Sequence, residues 1–220
     1  MKRVPLTTVS IPVDGVTLDA YITVPENPKG IVLFSHGSGS SRQSPRNRFV
    51  AEVLNENGMA TLLADLLTEE EDSFYETRFD IKLLTERLVG ITRWALEQPM
   101  LEGLGAGYLG ASTGAASALR AAAFLKDDIQ AVVSRGGRPD LAEDALPSVN
   151  APTLLIVGSL DGPVIEMNKA AYKAMHCQKK LEIVEGATHL FEEPGKLEEV
   201  ARLATQWFER YLVKKPQPAL

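Results

Sequence analysis

The sequence lacks the features that define several classes of protein. It has one cysteine, Cys177, in 220 residues, which excludes an internal disulfide and a cluster of thiolate metal ligands. It has no apolar run near the roughly 20 residues that span a bilayer, and no apolar signal-peptide stretch near its start. Positive charge is not in excess, since the sequence has 23 Lys and Arg residues and 29 Asp and Glu residues. We therefore expect a cytoplasmic protein that binds neither nucleic acid nor membranes.

What the sequence does contain is an alternation of strand and helix patterns over residues 1–220, which we expect to form a single domain. "TTVSIPV" and "VTLDAYITV" alternate polar and apolar residues around the turn Asp14-Gly15, as in a hairpin. Continuous apolar runs such as "IVLFS" follow, and these are typical of strands buried on both faces. The pattern predicts an α/β fold with a mostly parallel, twisted sheet of about eight strands and helices on both faces.

Several helices have recognisable boundaries. "SPRNRFVAEVLNENG" has Pro45 near its start, "ETRFDIKLLTERLVGITRWALEQ" predicts a long amphipathic helix, and "RPDLAEDAL" predicts a short one. The acidic segment "TEEEDSFYETR" is expected to be a solvated loop. Within it, Phe74 and Tyr75 either line a pocket or pack on the protein, whereas Phe79, which directly follows the segment, is expected to pack.

The stretch "GAGYLGASTGAAS" contains two motifs that share Gly110. The first is G-x-G-x-x-G, but a dinucleotide loop must follow a strand and open a helix, whereas Gly105 and Gly107 follow a helix and enter a strand. The second is G-x-S-x-G around Ser112, where a strand ends and an alanine-rich helix begins. This is the context of a nucleophile elbow, with Gly110 and Gly114 allowing a close approach. The alternative is a serine that merely caps the helix.

A serine nucleophile needs a base, and a third group must orient that base. Of the three histidines, His189 follows the last predicted strand and is the candidate base, whereas His176 ends a helix. Asp161 follows the strand "PTLLIVGS" and is the candidate acid. Four other carboxylates are less well placed alternatives: Asp65, Asp140, Asp144 and Glu166.

Backbone N–H groups must also stabilise the oxyanion that forms during acyl transfer. One is expected from Thr113, directly after the candidate nucleophile, and the other from Ser38 in the flexible loop "HGSGSS". His36, in the same loop, is then expected to hold the loop in place rather than to transfer protons.

Arginines follow two of the predicted strands. Arg42, Arg46 and Arg48 come after the loop of Ser38, and Arg135 and Arg138 follow "AVVS". Guanidinium groups suit carboxylate or phosphate, so one hypothesis is that Arg135 and Arg42 bind an anionic group of the substrate. The alternative, a solvated side chain, is favoured for Arg46 and Arg48 and stays open for Arg135.

Taken together, the segments resemble the α/β-hydrolase superfamily, and within it the dienelactone-hydrolase-like branch. The resemblance is carried by "VLFSHGSGSSRQSPRNR", "GYLGASTGAASALRAAA", "AVVSRGGRPDL", "APTLLIVGSLDGPVIEMN" and "EIVEGATHLFEEPGKLEEVARLATQWF". It extends to small bacterial hydrolases, some fused to a phosphoribosyltransferase domain, which we do not expect here. It implies a triad of Ser112, Asp161 and His189, with no large cap domain, and we expect no cofactor and no metal. Dienelactone hydrolases proper use cysteine where this chain has Ser112, and Gly162 stands where relatives often have an acidic residue.

The function predicted on these grounds is hydrolysis of a small-molecule carboxylic ester or thioester through an acyl-enzyme. Lactone specificity does not follow, because the nucleophile differs. One alternative is a non-catalytic binding module that has kept the hydrolase fold. A second alternative is a protein that binds a nucleotide through the first glycine motif.

Overall fold

The computed structural model describes residues 5–214, which are built around one eight-stranded sheet. The strands are β1 (Thr7–Val13), β2 (Val16–Thr23), β3 (Ile31–Ser35), β4 (Ala60–Ala64), β5 (Ala106–Ala111), β6 (Ile129–Arg135), β7 (Thr153–Gly158) and β8 (Lys179–Val184). Their order across the sheet is β1-β2-β4-β3-β5-β6-β7-β8. The β1–β2 and β2–β4 pairs are antiparallel and all the others are parallel, so the predicted hairpin forms an antiparallel edge.

Helices cover both faces of this sheet. They are α1 (Pro45–Glu56), α2 (Glu69–Asp72), α3 (Ile81–Leu96), α4 (Thr113–Leu125), α5 (Gly162–Ala174) and α6 (Lys196–Tyr211). One core lies under α1 and α6, and the other under α3, α4 and α5. No helix in the described part of the chain is both long and apolar enough to cross a membrane. The predicted α/β-hydrolase fold is confirmed, and residues 5–214 form no cap domain over the carboxyl edge of the sheet.

The burial of the strands explains the sequence pattern. Every residue of β3, β4, β5 and β7 is buried, because helices cover both faces of the central sheet. The edge strand β1 instead alternates between exposed and buried positions towards its end. Continuous apolar runs therefore mark the central strands, and alternation marks the hairpin.

Two of the predicted boundaries were wrong near the acidic segment. Helix α2 replaces the expected loop, because Thr68 and Glu71 form a reciprocal capping box and the acidic first turn suits the helix dipole. The long helix α3 begins only at Ile81, because the Asp80 side chain accepts the N–H of Leu83 and caps it there. Local hydrogen bonds thus decided both boundaries.

The aromatic residues of this segment lie on the surface. Phe74 and Tyr75 are 58% and 67% exposed, and Phe79 is still 41% exposed. The rings of Tyr75 and Phe79 contact each other with centroids 5.0 Å apart. Phe79 therefore packs against the ring of Tyr75 and stays partly exposed to solvent. The short helix predicted over "RPDLAEDAL" is a 3₁₀ turn at Pro139–Ala142.

The first two glycines of the G-x-G-x-x-G pattern pack at the amino end of the sheet. Gly105 directly precedes β5 and Gly107 lies within it. A side chain at Gly105 would collide with the Gln130 side chain and the Val213 carbonyl, and one at Gly107 would meet the Phe208 ring at 2.9 Å. Neighbouring side chains and backbone fill the space directly beside both glycines, so these glycines serve the packing of β5 against its neighbours.

A buried arginine links the hairpin to helices α2 and α3. Arg87 is 5% exposed, donates to the carbonyl of Val13 at 3.0 Å and pairs with the Glu71 carboxylate at 2.8 Å. Burial opposes ionisation of Glu71, but hydrogen bonds from the Thr68 amide and from Arg87 outweigh it and lower its pKa. Because the folded-state pKa is lowered, this carboxylate stabilises the fold above the unfolded-state value and stops doing so as the pH falls.

We expect Glu71→Gln to destabilise the protein by about 1–3 kcal/mol at neutral pH, because it leaves the buried Arg87 charge without a counterion. The difference from wild type should shrink at acid pH, as the pH falls through the lowered folded-state pKa of Glu71 and this carboxylate becomes protonated. Urea unfolding across the acid range measures both effects. Glu69→Gln in the same short helix is the control and should show a much smaller loss; a Glu71→Gln difference that persists at acid pH would contradict the pairing.

Candidate active site

Ser112 occupies a strained turn between β5 and α4. Its φ of 51° and ψ of −123° are unfavourable for any residue with a side chain. The glycines beside it allow the turn: a methyl group on Gly114 would collide with the carbonyl oxygens of Ser35 and His36, and one on Gly110 would meet the backbone of α4 at 2.5 Å. Helix and strands therefore approach so closely that the serine is forced out at the carboxyl edge of the sheet.

Neighbouring backbone holds Ser112 in this conformation. Its N–H donates to the carbonyl of Arg135 at 3.2 Å, which continues the pairing of β5 with β6. Its carbonyl accepts the N–H of Arg138 at 3.0 Å. The strain is thus maintained from both sides by β6 and the turn that follows it.

The structure brings Ser112, His189 and Asp161 together from three separate loops. Nε2 of His189 lies 3.4 Å from Oγ of Ser112, and its Nδ1 lies 2.6 Å from Oδ2 of Asp161, to which it can donate. The carboxylate is 14% exposed and the imidazole 35% exposed. The loops follow β5, β7 and β8, so all three side chains meet at the carboxyl edge of the sheet, as predicted from their positions in the sequence.

The loop of His189 has its own supports. Phe191 is 1% exposed, and its ring anchors the loop in the core that α1 and α6 cover. Its backbone adopts a left-handed φ of 58°. Thr188 donates from Oγ1 to the Glu193 carboxylate at 2.5 Å and from its N–H at 3.2 Å. The Thr188 hydroxyl bond is the main cause of the lowered pKa of Glu193. The sequence contains no signal that would have revealed the Phe191 conformation.

The four alternative acids all pair with Arg or Lys side chains and not with His189. Asp65 pairs with Arg42, Asp140 with Arg138, Asp144 with Arg120, and Glu166 with Lys169. Within residues 5–214, Asp161 is the carboxylate that contacts the imidazole of His189.

The two residues predicted to stabilise an oxyanion also meet, but in an unexpected way. Thr113 is the first residue of α4, so its N–H has no carbonyl partner within the helix. The N–H of Ser38, however, donates to the side-chain Oγ1 of Thr113 at 2.8 Å. From the sequence only the two amides were expected, and the side-chain hydroxyl of Thr113 that joins the two residues was not.

His36 connects two loops at the same edge. Its Nδ1 donates to the carbonyl of Gly37 at 3.0 Å, and its Nε2 accepts the N–H of Leu66 at 3.0 Å. Burial lowers its pKa, against the opposing effects of the Gly37 carbonyl and of the Asp65 and Asp72 charges. The imidazole is therefore neutral and holds the loop of Ser38 in place, which is the structural role expected for it.

The two arginines predicted to bind an anion have different surroundings. Arg42 pairs with Asp65 and with Asp19, and its guanidinium lies 5.4 Å from the ring centre of Tyr21. Its charge is therefore compensated, and we do not retain Arg42 as an anion ligand. Arg135 is only 8% exposed and donates from Nη2 to Oδ1 of Asn47 at 3.0 Å.

The other histidine and the cysteine lie outside this site. His176 is exposed after α5, and Sγ of Cys177 lies 3.8 Å from Oγ1 of Thr153 at the amino end of β7. No group of three or more His, Cys, Asp or Glu side chains in the described ranges is arranged to hold a metal ion.

Comparison with known proteins places the chain in a family. Residues 18–212 match the sequence profile described as "Dienelactone hydrolase family". The chain belongs to the dienelactone hydrolase family. A crystal structure described as a dienelactone hydrolase from Anabaena variabilis is 55% identical, superposes with a TM-score of 0.93, and the match covers 96% of this chain and 99% of that one.

Two further relatives extend the comparison. A Mycobacterium tuberculosis protein named "Putative phosphoribosyl transferase" is 56% identical over 202 residues, which are 92% of this chain but 44% of that protein. This chain thus spans less than half the length of the curated relatives it matches. Est1E from Butyrivibrio proteoclasticus shares the fold, with 21% identity and a TM-score of 0.79 over 92% of this chain and 98% of its own.

We expect Gly114→Ala to destabilise the protein by about 1–3 kcal/mol, because the new methyl group overlaps backbone oxygens that have little room to move. The matched control is Gly162→Ala at the first position of α5, where no atom lies within 4 Å of the added methyl. Its stability should stay within about 0.5 kcal/mol of wild type. Thermal unfolding compares the two variants, and equal stability would contradict the close approach at the elbow.

Proposed function

We propose that this protein is a serine hydrolase that cleaves small-molecule carboxylic esters or thioesters through an acyl-enzyme. The observation that carries the proposal is the chain of contacts from the strained Ser112 through His189 to Asp161. Membership of the dienelactone hydrolase family supports the broader class of hydrolase. Within that class we propose the cleavage of esters or thioesters by the serine nucleophile. We do not propose lactone specificity, because dienelactone hydrolases proper use a cysteine at this position.

In the first half of the reaction, Nε2 of His189 accepts the proton of Ser112 as Oγ attacks the carbonyl carbon. The 3.4 Å separation of these atoms is typical of a resting site, and it shortens as the substrate enters. The C–O or C–S bond then breaks, and the imidazolium returns the proton to the leaving group. Asp161 holds Nδ1–H and stabilises the imidazolium while it exists.

In the second half, water attacks the acyl carbon and gives its proton to Nε2 of His189. Collapse of the second tetrahedral intermediate returns that proton to Oγ of Ser112 and releases the carboxylic acid. Each half passes through an oxyanion, which needs donors that are already aligned.

We propose that Thr113 supplies two of these donors. Its N–H, free of an intrahelical partner, donates directly. Its hydroxyl accepts the N–H of Ser38 at 2.8 Å and can donate its own proton to the oxyanion at the same time. Ser38 then acts through the hydroxyl, because a chain of hydrogen bonds polarises its members.

We expect wild type to react with a fluorophosphonate probe and to hydrolyse short p-nitrophenyl esters and acyl thioesters. Ser112→Ala should lose the label and at least about 10³-fold in kcat, since no other group replaces the nucleophile. Ser10→Ala, which changes an exposed serine on the edge strand β1, is the matched control and should label like wild type.

Mass spectrometry locates the label and initial rates give kcat. Failure of wild type both to label and to hydrolyse these substrates would overturn the enzyme proposal and favour a binding module with the hydrolase fold. Labelling that persists in Ser112→Ala would place the nucleophile elsewhere.

We expect Thr113→Val to lower kcat by about 10²–10³-fold, as for the loss of one oxyanion donor, with KM changed less than about threefold. Thr113→Ser keeps the hydroxyl and should retain most of the activity. Steady-state kinetics on one ester test the pair, and circular dichroism checks folding. A rise in kcat for Thr113→Val would mean instead that the hydroxyl obstructs the Ser38 amide.

A further inference from the structure

Arg135 differs from the other arginines near the site in having no negative partner in the part of the chain that the structure describes. Its guanidinium is buried, its Nη2 donates to the neutral side chain of Asn47 at 3.0 Å, and its Nη1 is buried with no hydrogen-bond partner in residues 5–214. Ion pairs with carboxylates are formed instead by Arg42, Arg46, Arg78, Arg87, Arg120 and Arg138. A buried charge without a counterion destabilises the folded protein, so its presence here suggests that the charge has a function.

The charged group that faces Arg135 is another cation. Burial, and after it the positive charge of Arg46, together lower the pKa of Arg135 to about 10. The guanidinium still carries its proton at neutral pH. Arg46 has one counterion, Glu192 at 2.6 Å, and that carboxylate is 60% exposed and lies in the loop of His189. Arg135 and Arg46 therefore place two positive charges in the same region, and the carboxylate that pairs with Arg46 is an exposed one.

The position of Arg135 connects this charge to the reaction site. Arg135 is the last residue of β6, pairs with Ala111 of β5 and accepts the N–H of Ser112 on its carbonyl. The following residue, Gly136, packs so closely against the loop of His189 that a methyl group there would lie 3.0 Å from the His189 carbonyl oxygen. The backbone of Arg135 thus lies directly beside the candidate nucleophile in the sheet, and its side chain starts from that point.

The first turn of α1 contributes to the same region. Asn47 is 2% exposed, and its N–H is capped by the side chain of Ser44. Arg46 and Asn47 lie in the first turn of this 12-residue helix, so the positive end of its dipole adds to the positive potential around them.

We propose that the substrate carries a second, anionic group, a carboxylate or phosphate, which binds to Nη1 of Arg135 and to Arg46 beside Ser112. This inference rests on the proposed hydrolase function and names its substrate class. Arg46 exchanges its exposed Glu192 partner for the ligand, because surface ion pairs of this kind contribute little. Asn47 fixes the orientation of the Arg135 guanidinium, so that Nη1 is left for the anion.

Three esters of similar size test the proposal: p-nitrophenyl butyrate, the p-nitrophenyl monoester of succinic acid, and p-nitrophenyl 3-phosphonopropanoate. For wild type we expect a higher kcat/KM on at least one anionic ester than on the butyrate. Preference for the succinate or for the phosphonate ester identifies the anion as carboxylate-like or phosphate-like. We expect Arg135→Gln to lower kcat/KM by about 10- to 100-fold on the preferred anionic ester, the range for a hydrogen bond to a charged group, with a much smaller effect on butyrate.

The matched control is Arg48→Gln, which changes an exposed arginine of the same helix α1 and should leave both rates unchanged. Equal losses on the neutral and anionic esters in Arg135→Gln, or a wild type that prefers butyrate, would overturn the anion site while leaving the hydrolase proposal intact.

Calorimetric titration of succinate and 3-phosphonopropanoate into Ser112→Ala separates binding from turnover. We expect at least one of these anions to bind this variant and to lose affinity when Arg135→Gln is added. If wild type hydrolyses none of the esters but this pattern of binding holds, the anion site stands and the hydrolase proposal fails. Absence of binding by both anions would count against Arg135 whatever the rates.

Discussion

Helix α4 begins so close to β3 and β5 that no side chain fits between them, and the site is built around this contact. Gly110 and Gly114 supply the missing volume, and the chain can turn from strand to helix there only through the strained backbone of Ser112. The same turn leaves the hydroxyl of Ser112 at the carboxyl edge of the sheet and the N–H of Thr113 without a partner inside the helix. The packing of the helix against the strands therefore places a hydroxyl and an amide donor at the same edge.

The groups around the elbow divide according to how their charges and polar atoms are satisfied. Arg42 and Arg87 are bound to carboxylates and link segments of the chain, and the neutral His36 joins two loops. Arg135 is buried beside the neutral Asn47 and, unlike Arg42 and Arg87, pairs with no carboxylate within residues 5–214. Proteins commonly concentrate unsatisfied or strained groups where a ligand completes them, so this arginine stands apart from the structural ones.

Much of the fold and the three central side chains followed from local pattern. Continuous apolar runs marked the buried strands, and the carboxyl ends of parallel strands share an edge, so Asp161 and His189 were expected near Ser112. The errors arose where one hydrogen bond outweighs composition. The capping box of Thr68 and Glu71 stabilises a helix where a loop was expected, and the Asp80 cap starts α3 later in the chain than expected. Arg42 was a plausible anion ligand until its two carboxylate partners were known.

The sequence by itself determined the order of strands and helices, the family resemblance and the nucleophile turn, because these depend on residue types at short spacing. Only the tertiary structure decided which partners each polar group has. The Thr113 hydroxyl under the Ser38 amide, the exposed Glu192 beside Arg46 and the neutral Asn47 beside Arg135 all join residues far apart in the chain. Such contacts depend on how whole elements pack, and no local pattern encodes them. The unpartnered nitrogen of Arg135 was therefore visible only once the chain was folded.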